Sequence, residues 1–312
     1  MDVQIDQNRT IAIESALGEM GVPSRDADTL PTSNRTFPDG GHYRIEISGV
    51  ERLSTLQTMC DAQAEYGVPV HRIIACVGGS TLVSKHELRD MAQLLSARHI
   101  EAVLTPGPRR AWDLGPQYRT AEGVQSGART RGAAGLRDLI LDIDRGLDAG
   151  FRGFLIMDEG VLWVASQLRE RGIFPADTYF KVSVYAGHGN PAGAIVLERL
   201  GASSINPLAD LTLGMLAAMR QAVSIPLDIY VYLVDAMGGF VRVAEAAEIV
   251  RVSSPCYLKF EPGLSEASVY APYADESHHQ QLIRQKVRFA AITQELIADR
   301  NPSLRTSNQD GH

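Results

Sequence analysis

Between residues 179 and 261 the chain alternates apolar strand-like runs with helical segments three times and then adds a fourth run. The runs cover residues 179–185, 203–206, 227–233 and 256–261. Strands alternating with helices imply a parallel sheet covered by helices. The first and third runs carry a second pattern. Val182 and Val184 share one face, and Lys181, Ser183 and Tyr185 the other. Leu227, Ile229, Val231 and Leu233 alternate with Asp228, Tyr230 and Tyr232. Period two places each set on its own side of the sheet. Helices cover the aliphatic side, so the polar side needs another environment. The interior of a closed barrel supplies it.

The rest of the chain extends this rhythm to eight units. Further strands are predicted at residues 43–48, 72–77, 102–105 and 153–157, each followed by a helical pattern. Ser84 with Glu87 three residues on has capping-box spacing, and Asp210 is placed to cap the helix after the sixth strand. The expected fold is α/β, a (β/α)8 TIM barrel over residues 42–299. An N-terminal arm or cap (1–41) precedes it and a disordered tail (300–312) follows. A chain of 312 residues has room for this.

Composition narrows the function. A net charge of −7 gives no reason to expect nucleic acid. Cys60, Cys76 and Cys256 are scattered, so no iron–sulfur cluster or zinc–thiolate site is expected within one chain. An odd cysteine count without a framework, a polar N-terminus and no long apolar run lead to the expectation of a cytoplasmic protein that contacts no membrane.

In this fold chemistry gathers at the C-terminal ends of the strands. The loop of residues 106–131 is long and carries Arg109, Arg110, Arg119, Arg129 and Arg131. Guanidinium forks suit carboxylate or phosphate, so Arg109 and Arg110 are candidate substrate-binding residues. The alternative is a solvated loop. Asp158 and Glu159 end the fourth strand and are candidate catalytic carboxylates, able to act as base or to hold a hard cation; the alternative is an ion pair or a helix cap. Lys181 and Lys259 share the inward parity with Glu46 and Asp228. Lysine in a barrel can act as a base or form a Schiff base, or can balance a buried acid. Lys181 is read as structural. Lys259, beside Glu46 on the neighbouring first strand, is read as catalytic. His188 in a Gly-His-Gly-Asn loop, Asn206 and Tyr232 complete the substrate-binding candidates. His278 and His279 share no helix face and receive no metal role. No dinucleotide, Walker, G-x-S-x-G or H-E-x-x-H motif is present.

Several segments together resemble one family. They are Arg44-Ile45-Glu46-Ile47, Asp158-Glu159-Gly160, Lys181-Val182-Ser183-Val184, Asn206-Pro207-x-x-Asp210-Leu211-Thr212-Leu213, Ile225 to Val231, Gly238-Gly239-Phe240-Val241-Arg242 and Tyr257-Leu258-Lys259-Phe260. Over residues 42–298 the chain resembles the U32-like (collagenase-like) peptidase barrels. The resemblance implies a β/α barrel and, nominally, a hydrolase. Some members of the wider family modify RNA or assist quinone hydroxylation, and some hold iron–sulfur clusters through four cysteines, which this chain lacks. After the eighth strand, Glu261-Pro262-Gly263-Leu264 departs from the expected turn.

The reading is a barrel enzyme acting on a small anionic molecule by acid–base chemistry. Peptidase activity and a non-catalytic binding or scaffold barrel are the alternatives. The cofactor is left open, a divalent metal and a homo-oligomeric state both being options.

Overall fold

The computed structural model describes residues 7–107, 129–265, 269–270 and 275–308. Eight parallel strands close into a barrel in chain order: β1 (Tyr43–Val50), β2 (Arg72–Ala75), β3 (Glu101–Leu104), β4 (Gly153–Ile156), β5 (Tyr179–Val182), β6 (Ser204–Ile205), β7 (Leu227–Tyr232) and β8 (Cys256–Phe260). Parallel pairing of β1 with β8, Glu46 opposite Lys259, completes the ring. The helices are α1 (Gln7–Glu19), α2 (Leu53–Tyr66), α3 (Lys85–Ala97), α4 (Gly132–Ala149), α5 (Glu159–Glu170), α6 (Pro191–Arg199), α7 (Leu213–Ala222), α8 (Ala246–Ser253) and α9 (Glu276–Arg300). The protein is a (β/α)8 TIM barrel. Among the described residues no helix is long and apolar enough to cross a membrane.

Strand alternation sorts the side chains into two layers. Ile45, Ile47, Ile73, Phe154, Phe180, Ile229 and Leu258 pack in one buried cluster with helix residues such as Leu56, Met59, Leu162 and Ile283. Ile74, Val77, Val103, Leu155 and Tyr230 form a second cluster. These come from the opposite parity and fill the barrel.

Parity fails where the strands end. Residue 183 does not continue β5: the Ser183 hydroxyl accepts a hydrogen bond from the Tyr185 amide (3.3 Å) and opens a 3-10 turn, Val184–Ala186. Val184 therefore joins the inner cluster instead of facing helices. In β7 the pairing with β8 slips by one residue between Tyr230 and Tyr232. A slip of one residue moves a side chain to the other face. Tyr232 accordingly stacks on Phe289 of α9 (5.1 Å between centroids, 24° between planes) and lies outside the barrel. Asp210 does not cap a helix; Thr212 does, accepting from the Met215 amide at 3.3 Å.

Residues 27–43 and 301–308 pack against the barrel and its helices. Ala27 donates its amide to the Gly214 carbonyl (3.1 Å), and the Ser254 hydroxyl donates to the Arg35 carbonyl (2.5 Å). Phe37 then sits under the Arg44 guanidinium, 4.3 Å from its ring centroid, and edge-on to Tyr257. Residues 301–308 correct the expectation of a disordered tail. Ser307 is buried, its amide donates to the Tyr43 carbonyl (3.0 Å), and its carbonyl meets His71 Nε2 at 2.9 Å. His71 Nδ1 accepts the Ile45 amide (3.0 Å), which requires that nitrogen unprotonated. Burial pushes the imidazole down to about 4.

Candidate active site

Two charged clusters lie inside the barrel, one below the other. The lower joins side chains of β1, β2, β5, β6, β7 and β8. Arg72 ion-pairs with both Glu46 and Asp228, and Lys181 with Asp228 and, at 3.2 Å, Glu46. Ser204 donates to Asp228 (2.7 Å), and the Arg72 guanidinium lies 3.4 Å from the Tyr257 ring centroid. Two acids and two cations balance, all of them shut off from solvent. Burial pulls the Lys181 ammonium down to about 8 against the attraction of Asp228 and Glu46. Burial would raise the Asp228 carboxyl, but Arg72 and Lys181 hold it below the usual value. This is the structural role expected of Lys181, with Arg72 an unanticipated member. It also corrects one pairing. Glu46 and Lys259 are register partners, yet Glu46 serves Arg72 and Lys181 instead.

The upper cluster sits at the C-terminal ends of β6, β7, β8 and β1. Lys259, 5% exposed, donates to the Tyr230 hydroxyl (2.7 Å) and to Asn206 Oδ1 (3.3 Å), and pairs with Glu261 at 3.3 Å. Tyr230 in turn donates to Glu261 (3.1 Å). Asn206 is fixed by donating Nδ2 to the Asp228 carbonyl (2.8 Å). Burial would raise the Glu261 carboxyl, but Lys259, Tyr270, Lys286 and Tyr230 together hold it below the usual value. Across the mouth, Thr105 has a buried hydroxyl without a hydrogen-bond partner among the described residues. Ile74, Val103 and Leu155 make the facing wall apolar. A polar half facing an apolar half is a usual makeup for a small-molecule site.

Lys286 belongs to this cluster and comes from α9, outside the strand pattern. Its Nζ donates to the Ser48 carbonyl (2.6 Å), while the Ser48 and Tyr270 hydroxyls lie 3.2 Å apart. Gly49 makes the approach possible: a β-carbon there would come within 2.8 Å of Nζ. Gly49 also has φ +81°, a left-handed conformation that glycine adopts without penalty. Among the described residues no carboxylate lies within ion-pair distance of Lys286. Strand parity could not reveal it; a lysine between Ile283 and Val287 on the buried face of a helix could have.

A third group occupies the rim. Glu159, at the start of α5, ion-pairs with Arg129 and lies 2.6 Å from His188 Nε2. Burial would raise its carboxyl, but hydrogen bonds from Arg129 and His188 hold it below the usual value. Arg129 also donates to the Met157 and Ala186 carbonyls, each at 3.3 Å, and so ties the end of the arginine-rich loop to β4 and β5. The start of that loop is held by Asp142, which accepts the Gly107 amide (3.0 Å). Asp158 is the N-cap of α5, its Oδ1 accepting the Gly160 and Val161 amides at 2.9 and 3.2 Å. The catalytic assignment of Asp158 is therefore corrected: its oxygen neutralises helix-end amides.

Of the candidates, Lys259 and Asn206 meet in the mouth, Glu159 and His188 meet on the rim, and Tyr232 belongs to neither. Arg109 and Arg110 lie outside the described residues. No cluster of three or more His, Cys, Asp or Glu with metal-holding geometry occurs among the described residues.

No known family and no curated protein matches the chain. Solved structures do. The YdjI aldolase from Escherichia coli K12 is 15% identical with a TM-score of 0.50, over 84% of this chain and 94% of that one. A U32 peptidase is 18% identical with a TM-score of 0.41, over 78% and 84%. A structure described as native KDPGal is 9% identical with a TM-score of 0.45, over 85% and 99%. Likeness at such identities establishes the fold alone. The chain is a TIM-barrel protein.

Proposed function

We propose that the protein is an enzyme that binds a small anionic molecule at the barrel mouth and acts on it by acid–base chemistry. The supporting observation is the convergence of Lys259, Glu261, Tyr230 and Asn206 from three strands, with contacts of 2.7–3.3 Å. In this reading Lys259 supplies the cation that receives the anion and polarises the Tyr230 phenol. Glu261 is the carboxylate that accepts a proton. Asn206 orients both the lysine and the substrate. Glu159, engaged by Arg129 and His188, anchors the end of the arginine-rich segment, and Arg109 and Arg110 in that segment are proposed to bind the anion.

The scaffold reading is favoured by one observation: Lys259 already has Glu261 as an ion-pair partner. A thermal-stability screen of carboxylates and phosphates on the full chain separates the two. The enzyme reading expects at least one anion to stabilise the wild type, with the shift lost in Lys259→Met and retained in Asp158→Ala. Equal shifts in wild type and Lys259→Met would remove the mouth from anion binding.

A further inference from the structure

The chain contains 30 lysines and arginines, of which only four are lysines: Lys85, Lys181, Lys259 and Lys286. Lys85 is exposed at the start of α3. The other three are inside, at 0%, 5% and 1% exposure respectively. Nearly every solvent-facing cation is thus arginine, and lysine is kept for the interior. The two side chains differ there in one decisive respect. A guanidinium does not lose its proton in a protein, whereas a buried ammonium does so readily.

The three interior lysines are not equivalent. Lys181 is enclosed by Asp228 and Glu46 in the lower cluster, away from the mouth. Lys259 has Glu261 at 3.3 Å as an ion-pair partner. Lys286 has a single acceptor, the Ser48 carbonyl, and no carboxylate within ion-pair distance among the described residues. Burial pulls its ammonium down to about 8, Glu261 and Glu51 opposing and Lys259 adding to the fall. Desolvation beside another cation is a standard way of making lysine nucleophilic. The Tyr270 hydroxyl, hydrogen-bonded to Glu261 and 3.2 Å from Ser48 Oγ, links this amine to a carboxylate able to relay protons.

We propose that Lys286 is a carbonyl-reactive amine and that the mouth takes small oxo acids, molecules carrying a carbonyl group next to a carboxylate. This rests on the reading of the mouth as an anion site, with Lys259 receiving the carboxylate. The neutral Nζ adds to the carbonyl carbon, forming a C–N bond, and the carbonyl oxygen gains a proton. The carbinolamine then loses its hydroxyl as water, Nζ gives up its remaining protons as required, and an imine is left. One carbonyl and one amine yield one imine and one water, and no oxidant or reductant is consumed. Once protonated, the imine carries a positive charge that Glu261 offsets, and it withdraws electrons from the adjacent carbon. That is the activation needed for proton abstraction or carbon–carbon cleavage beside a carbonyl.

The test is reductive trapping on the wild-type full chain. Glyoxylate and cyanoborohydride are added at neutral pH, and the modified lysines are mapped by peptide mass spectrometry. Acetaldehyde, a carbonyl without the carboxylate, runs in parallel. The expected result is Lys286 modification exceeding that of exposed Lys85 by about tenfold or more, because burial makes the Lys286 ammonium easier to deprotonate and so the better source of a nucleophilic amine. The preference should shrink with acetaldehyde and disappear in Lys259→Met. Modification confined to Lys85 and the α-amine overturns the proposal. If acetate or phosphate still stabilises the protein through Lys259 in that case, only the imine is refuted. If no anion does, the anion site falls with it.

Discussion

The two charged clusters of the barrel are built from the same residue types and behave as opposites. In the lower one, every charge has a counter-charge from another strand: Arg72 and Lys181 divide Asp228 and Glu46 between them. In the upper one, two lysines share a neighbourhood with Glu261, and only Lys259 reaches it at ion-pair distance. Water is excluded from both, so neutralisation must come from within. The lower cluster achieves it and is a fastening between strands. In the upper one Lys286 has the Ser48 carbonyl as acceptor and, among the described residues, no carboxylate at ion-pair distance, and the Thr105 hydroxyl has no hydrogen-bond partner there; in the lower one the Glu46 oxygen that accepts no hydrogen bond still meets Lys181 as an ion pair.

One substitution applied at three positions sharpens this contrast. Lys181→Met removes a partner from two buried carboxylates, and the expected loss is about 3–5 kcal/mol in urea unfolding. Lys259→Met should cost less, and adding Glu46→Leu should not rescue it, because Glu46 belongs to Arg72 and Lys181. Rescue by that double replacement would mean that the clusters are one network and break the comparison.

Lys286→Met is expected to leave stability at pH 7 within about 1 kcal/mol of wild type, since the lost hydrogen bond and the removed buried charge offset one another. Its signature is in the pH profile. The folded ammonium is pulled down from 10.5 to about 8. Below pH 8 both states hold the proton and the folded state bears the full penalty. From pH 8 to 10.5 the unfolded chain binds more protons, so wild-type stability rises relative to the variant. Parallel profiles for the two proteins over that window would show that Lys286 is paired after all.

The smallest effect concerns the rim. Asp158→Ala removes a helix cap and should lower stability by about 1 kcal/mol, with anion-induced thermal shifts unchanged. Loss of those shifts would return Asp158 to the site.

Much of the barrel was legible because strand alternation is local. Lys181, Asp228, Glu46 and Lys259 could be assigned to the interior from parity alone, since period two carries over four or five residues without knowledge of neighbours. The candidate site was legible only in part. Lys259 and Asn206 were found by parity and position. Glu159 and Asp158 were indistinguishable, because both faces of β4 are apolar; the start of α5 decided that Asp158 caps and Glu159 pairs. Tyr232 was misplaced because a register slip in β7 reverses the faces beyond it.

From its order of residues alone, this protein is a parallel barrel with charged side chains inside and an aliphatic exterior, because hydrophobic period and strand–helix alternation act over short stretches of chain. Which charges pair was decided by closure. Glu46 faces Lys259 on β8 and Arg72 on β2 in register, yet its carboxylate goes to Arg72 and to Lys181, which reaches it from β5 across the barrel. Lys286 reaches the mouth from a helix because Gly49 leaves space for its amine. Such contacts join residues from 26 to 238 positions apart, and a side chain's electrostatic environment exists only once those positions have been brought within a few ångströms.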